Sequence, residues 1–113
     1  MESKVERKEA IRKFKERKPA RGTYALRSAA TGRIWVGSSP NLDATRNGSW
    51  FSLRNGSHRD QALQDEWTTH GETAFQFEVL EKLDDDLSPM EVADRLKEKR
   101  LHWIALLKAL PLY

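Results

Sequence analysis

The side chains best equipped for chemistry in this 113-residue chain are a phenol, an imidazole and several guanidinium groups set within patterned stretches. Arg46 and Arg100 fall among apolar residues at helical spacing, and Arg54 and Arg59 bracket Asn55-Gly56-Ser57-His58. A guanidinium stays protonated and offers a planar fork of donors that matches phosphate oxygens. Inside an apolar stripe it needs a partner or a route to solvent. Tyr24 and Trp35 lie on two β-type stretches, and Trp35 or Trp50 would offer a face on which a base could stack. Phosphate contact by Arg46, Arg54, Arg59 and Arg100 is one coherent reading. A solvated charged surface with half-buried strand aromatics is the other. His58 is either a functional ring or an exposed residue in the first turn of a helix. Cysteine is absent, which excludes a disulfide framework and a thiolate metal site. Asp84-Asp85-Asp86 lacks the glycine and spaced ligands of a calcium loop and reads as solvated.

The elements that must hold these groups follow from local patterning. Gly22 to Arg27 and Arg33 to Gly37 alternate aromatic or β-branched residues with small or polar ones, and Ala30-Thr31-Gly32 lies between them. That predicts an antiparallel hairpin. Asn41 is the expected N-cap of a helix on which Leu42, Arg46, Ser49 and Leu53 share a face, unless Asn47-Gly48 breaks it as a turn. Ser57 is the expected cap of the next helix, which carries Leu63 and Trp67 and stops at Gly71. Residues 74 to 80 form a third strand with Phe75, Phe77 and Val79 on one face. Ser88-Pro89-Met90-Glu91 has the residues of a capping box with proline at the first helical position. From there Val92, Leu96, Arg100, Trp103, Leu107 and Leu110 keep the helical period until Pro111. Residues 3 to 17 are strong helix formers with a thin apolar stripe, closed by Pro19.

The fold class is therefore α/β in the α+β sense, a three-stranded antiparallel sheet flanked by helices. At this length one domain is expected. Its organisation is a basic helical arm over residues 1 to 21 and a domain over residues 22 to 113. Net charge is +3, and the arm holds nine Lys or Arg against four Glu, so the basic character belongs to it. Such an arm suits a polyanion partner, or is a solvated helix whose Glu residues interrupt the run. No stretch approaches the roughly 18 apolar residues that span a bilayer, and Met1 leads into charge. A cytoplasmic protein without a membrane partner is expected.

Gly22-Thr23-Tyr24 and Trp35-Val36-Gly37, with this gap, resemble the signature of the GIY-YIG nuclease family. The likeness extends through Gly37-Ser38-Ser39-Pro40-Asn41-Leu42, the stretch Leu53 to Gly71, Phe75 to Glu81 and Leu96 to Ile104. Together these cover about residues 22 to 104. The resemblance implies a nucleic-acid substrate, DNA expected over RNA, and endonucleolytic phosphodiester cleavage with Mg2+ or Mn2+. It implies that the ion is held mainly by one glutamate, and that a tyrosine of the first tripeptide takes a proton from the attacking water. Tyr24 matches that tyrosine, and Trp35 holds the place of the second. The family's arginine lands on Thr45, with Arg46 one residue later as a substitute. A histidine of some relatives falls on Ser49, and His58 matches another. The metal-binding glutamate falls on Arg100, whose fixed charge would oppose a divalent ion by roughly 4 kcal/mol at 4 Å and an effective dielectric of 20.

Three functions follow. The first is a metal-dependent endonuclease using Tyr24, Trp35, Arg46 and His58 with a relocated carboxylate, Glu81 or Glu66, its metal ligands otherwise unknown. The second is a catalytically inactive nucleic-acid-binding module of the same fold, contacting phosphates through Arg54, Arg59 and Arg100. The third is a protein-interaction domain.

Overall fold

The structure, a computed structural model, describes residues 19–84 and 86–112. The helix expected over residues 3 to 17 lies outside them. β1 (Gly22–Ser28) and β2 (Ile34–Ser39) form the expected hairpin, with Tyr24 opposite Gly37 and Leu26 opposite Trp35. Gly32 takes φ 77° in the turn, a conformation glycine adopts without a Cβ penalty. β3 (Phe75–Lys82) runs antiparallel to β1 on its other side.

α1 (Leu42–Arg54) begins as expected, the Asn41 side chain accepting from the Ala44 amide at 3.0 Å. It runs unbroken through Asn47-Gly48, so the turn alternative is excluded. Leu42 and Leu53 are its buried residues. α2 (Gln61–His70) starts three residues later than expected. Its cap is Asp60, whose carboxylate accepts from the Leu63 amide at 3.0 Å, so Ser57 and His58 belong to the preceding loop. A single 3-10 turn, Glu72–Ala74, leads into β3.

α3 (Pro89–Leu107) opens with the capping box at Ser88 and Glu91. Its end departs from the periodic pattern. Lys108 adopts φ 53° and ψ 44°, a left-handed cap, and the chain turns back onto the sheet. Leu110–Pro111 then form β4, parallel to β2, giving a four-stranded sheet in the order β3-β1-β2-β4. The three antiparallel strands stand as expected; the fourth is two residues long and carries no alternation to read.

The core lies on the α1–α2 side of the sheet, where Tyr24, Leu26, Trp35, Leu42, Leu53, Leu63, Trp67, Phe75 and Leu112 cluster. Each fully buried leucine here contributes about 2 kcal/mol relative to exposure. α3 packs against β1 and β2, and Ala25 and Val36, which alternate with the core residues, are fully buried. A β-bulge interrupts β3: Tyr24 pairs with Val79, but Thr23 pairs with Glu81. The slip sets Glu81 opposite Thr23, on the other face from Tyr24. There Glu81 accepts from Trp103 Nε1 at 3.0 Å and pairs with Lys99 at 3.1 Å, tying β3 to α3. Val79 shares the face of Phe75 and Phe77 as expected, pairing with Tyr24 as they pair with Ser28 and Leu26, and is 40% exposed on this edge strand.

Candidate functional site

Tyr24 is only 7% exposed, yet it lines a cleft of about 350 Å³. β1 carries it into the core, and its ring stacks on Phe77 at 5.1 Å. Its hydroxyl makes no hydrogen bond among the described residues, which leaves that polar end to the cleft. α1 supplies one wall through Thr45, Gly48, Ser49 and Ser52. The loop before α2 supplies Ser57, His58 and Arg59, and Leu112 closes the cleft beyond β4. The constriction beside Tyr24 explains Gly37: a Cβ there would stand 2.7 Å from the tyrosine hydroxyl oxygen.

The cleft is rich in donors. Burial pushes the Tyr24 phenol above its usual 10.0, with the positive charges of Arg59 and Arg100 pulling it back. The hydroxyl is therefore protonated near neutral pH and acts as a donor. Burial lowers the His58 imidazole below its ordinary 6.5, Arg59 acting in the same direction and Asp60 against it. His58 Nδ1 accepts from the Asp60 amide at 3.0 Å, so the neutral ring carries its proton on Nε2. The His58 amide is itself held by Gln64 Oε1 at 3.0 Å, which fixes the loop. A histidine whose folded pKa is depressed stabilises the fold above its unfolded value and loses that contribution as pH falls below 6.5. Accordingly, an NMR titration of His58 should give a midpoint below 6.5; a midpoint at or above it would contradict the buried, Nδ1-accepting ring.

The other sequence-predicted residues separate into distinct places. Trp35 is 1% exposed within the core, beside Phe75, and offers no face to a ligand. Arg46 lies outside the Tyr24 cleft. It lines a separate groove with Arg27, Trp50 and the outer edge of β3, because one residue along a helix turns the side chain by about 100° from Thr45. It is exposed rather than among the core leucines. Arg54 forms a two-bond pair with Glu72, at 2.6 and 3.1 Å, tying α1 to the 3-10 turn. Arg59 lines the cleft. Arg100 lies on the inward side of α3 as its spacing requires, near enough for its charge to act on Tyr24.

Neither proposed carboxylate reaches the cleft. Glu66 is 6% exposed and accepts from Ser28 Oγ at 2.7 Å and from Thr31 Oγ1, with Arg33 at 3.5 Å and His70 at 3.9 Å. The Thr31 hydrogen bond leads in holding its carboxyl below the usual range, burial opposes this, and Ser28 adds to the lowering. Glu66 thus anchors α2 to the hairpin turn, and Glu81 anchors β3 to α3.

No family model matches the chain, and no curated protein does. Two solved structures resemble it. The catalytic domain of homing endonuclease I-TevI is 21% identical with a TM-score of 0.69, over 82% of this chain and 98% of that one. A Glu-to-Ala mutant of the catalytic domain of intron endonuclease I-TevI is 22% identical with a TM-score of 0.66, over 79% and 84%. The fold is GIY-YIG-like.

GIY-YIG nucleases are generally divalent-metal dependent, and a hard cation would need anionic oxygen donors in the cleft. Among the described residues its lining offers hydroxyls, a neutral imidazole and a guanidinium, but no carboxylate. Among the described residues no three His, Cys, Asp or Glu are grouped to hold a metal ion. Magnesium-type ions require anionic oxygen ligands, so the residues at the cleft do not fit one. Within this GIY-YIG-like fold, sequence reasoning missed Gly48, Ser52, Ser57 and Leu112 as cleft residues. The available signal was the run of small residues Thr45, Gly48, Ser49 and Ser52, spaced three, one and three apart along one side of the helix.

Proposed function

We infer that this chain binds the phosphate backbone of nucleic acid in the Tyr24 cleft and does not cut it by the divalent-metal route. One observation carries the reading: Tyr24, His58 and Arg59 meet in a cleft within reach of the Arg100 charge, where the lining holds donors and, among the described residues, no carboxylate. Such a site suits a phosphodiester, whose oxygens accept hydrogen bonds and carry the opposite charge. The likeness to nuclease catalytic domains supports nucleic acid as the partner class, although fold alone does not determine activity. No helix among the described residues is long and apolar enough to cross a membrane.

A metal-dependent endonuclease is the second reading, favoured by the convergence of Tyr24 and His58 in one cleft. Incubation with plasmid, branched and single-stranded substrates in magnesium and in manganese separates the two. The expected result is binding whose affinity falls steeply with salt, with all substrates left intact. Cleavage that disappears in Tyr24→Phe would replace the binding reading with the nuclease one. Absence of salt-dependent binding would remove both.

A further inference from the structure

We propose that the nucleic acid bound in the cleft presents an unpaired base to Phe51, making a single-stranded or locally unpaired segment the preferred ligand. The inference rests on the phosphate-binding reading above and adds a residue and a substrate class to it. Phe51 is 69% exposed, and its ring contacts no other ring among the described residues. It follows Gly48 by three positions and precedes Ser52 by one, and both of those line the cleft. Residues three apart are neighbours on a helix surface, so Phe51 lies beside Gly48, the cleft residue farthest round the helix from the buried leucines. An aromatic face beside a phosphate site is the arrangement by which proteins hold unstacked bases without reading their edges. In a paired duplex that base face is covered by its neighbours.

Gly48 supports the same placement independently. Glycine inside a helix is unfavourable relative to other residues, so a reason for it is needed. No protein atom lies within 4 Å of where its Cβ would be, so internal packing does not require glycine here. The space that a side chain would fill is cleft, and glycine permits a strand to approach the helix backbone there. The Tyr24 hydroxyl, on a residue more than nine-tenths buried and without a hydrogen bond among the described residues, faces the same space.

The test measures binding of a labelled single strand, as DNA and as RNA, and of its fully paired duplex, by fluorescence anisotropy. Phe51→Ala should weaken single-strand binding roughly tenfold and leave the duplex unchanged, while Phe51→Trp should retain single-strand affinity. A base analogue whose fluorescence is quenched by stacking should brighten in the Phe51→Ala complex. Gly48→Gln should raise the melting temperature, because glutamine is the better helix former, yet weaken binding to both ligands. Equal losses on duplex and single strand in Phe51→Ala, no loss on either in that variant, or unchanged binding in Gly48→Gln would each overturn the inference. Should Arg59→Ala weaken both ligands while Phe51→Ala weakens neither, the phosphate site stands and the stacking role falls. If the unsubstituted chain binds neither ligand, both fall together.

Discussion

Gly22→Ala should destabilise the fold by about 3 kcal/mol, at the upper end of what overpacking costs. A Cβ at this position would stand 2.0 Å from the Glu81 carbonyl oxygen and 2.9 Å from both the Glu81 carbonyl carbon and the Lys82 Cα. All three are backbone atoms, so no flexible side chain can yield. Relief requires β1 and β3 to part at the bulge, where Glu81 reaches across to Trp103 and Lys99. Urea unfolding measures it: the midpoint should drop with the slope unchanged. An unchanged midpoint would mean that the bulge widens at no cost. The two signature glycines thus answer to different neighbours. Gly22 is required by the opposing strand, whereas Gly37 is required by the Tyr24 ring and so bears on the cleft.

Arg59→Ala should reduce affinity for nucleic acid tenfold to a hundredfold at low salt, which corresponds to about 1.5–3 kcal/mol for a hydrogen bond to a charged group. The slope of log affinity against log salt should fall by about one, as for loss of a single phosphate contact. Arg54 is the internal control. It is equally cationic, but it is engaged by Glu72 and lies outside the cleft. Arg54→Ala should leave the slope unchanged, whereas a diffuse electrostatic surface would make the two variants indistinguishable. Salt titrations of both against the same oligonucleotide decide between a defined site and general surface charge.

The fold was largely legible in the sequence, and the failures have local physical causes. Strand alternation identified the hairpin and β3, and cap chemistry placed the starts of α1 and α3 at Asn41 and Ser88. Alternation also put Phe75, Phe77 and Val79 on one face, as their register with Ser28, Leu26 and Tyr24 has it, but a one-residue bulge beyond Val79 carries no mark in a two-residue period. The helical period extended α3 to Leu110, since Lys108 gives no warning that its backbone turns left-handed. Ser57 and Asp60 are both good caps, and only the three-dimensional path showed which carboxylate or hydroxyl meets a free amide.

The site was legible only in part. Tyr24, His58 and Arg59 share the cleft, and Arg100 faces it electrostatically. Trp35 could not be distinguished from a ligand-facing aromatic by type alone, because strand position does not say which layer covers it. Arg46 and Thr45 differ by one step of helical rotation, which the spacing allowed for without resolving. Glu66 and Glu81 were candidates as carboxylates without assigned partners, and the structure assigns those partners to the scaffold.

One wall of the cleft comes from the last stretch of described chain. Leu112 is held by its amide to the Val36 carbonyl at 2.8 Å, just past two residues of parallel pairing with β2. The hairpin, by contrast, is secured along six registered pairs. The aperture is therefore bounded by a short latch on one side and a rigid frame on the other. Leu112 also belongs to the buried core, so the contact that shapes the mouth is one of those that hold the domain together.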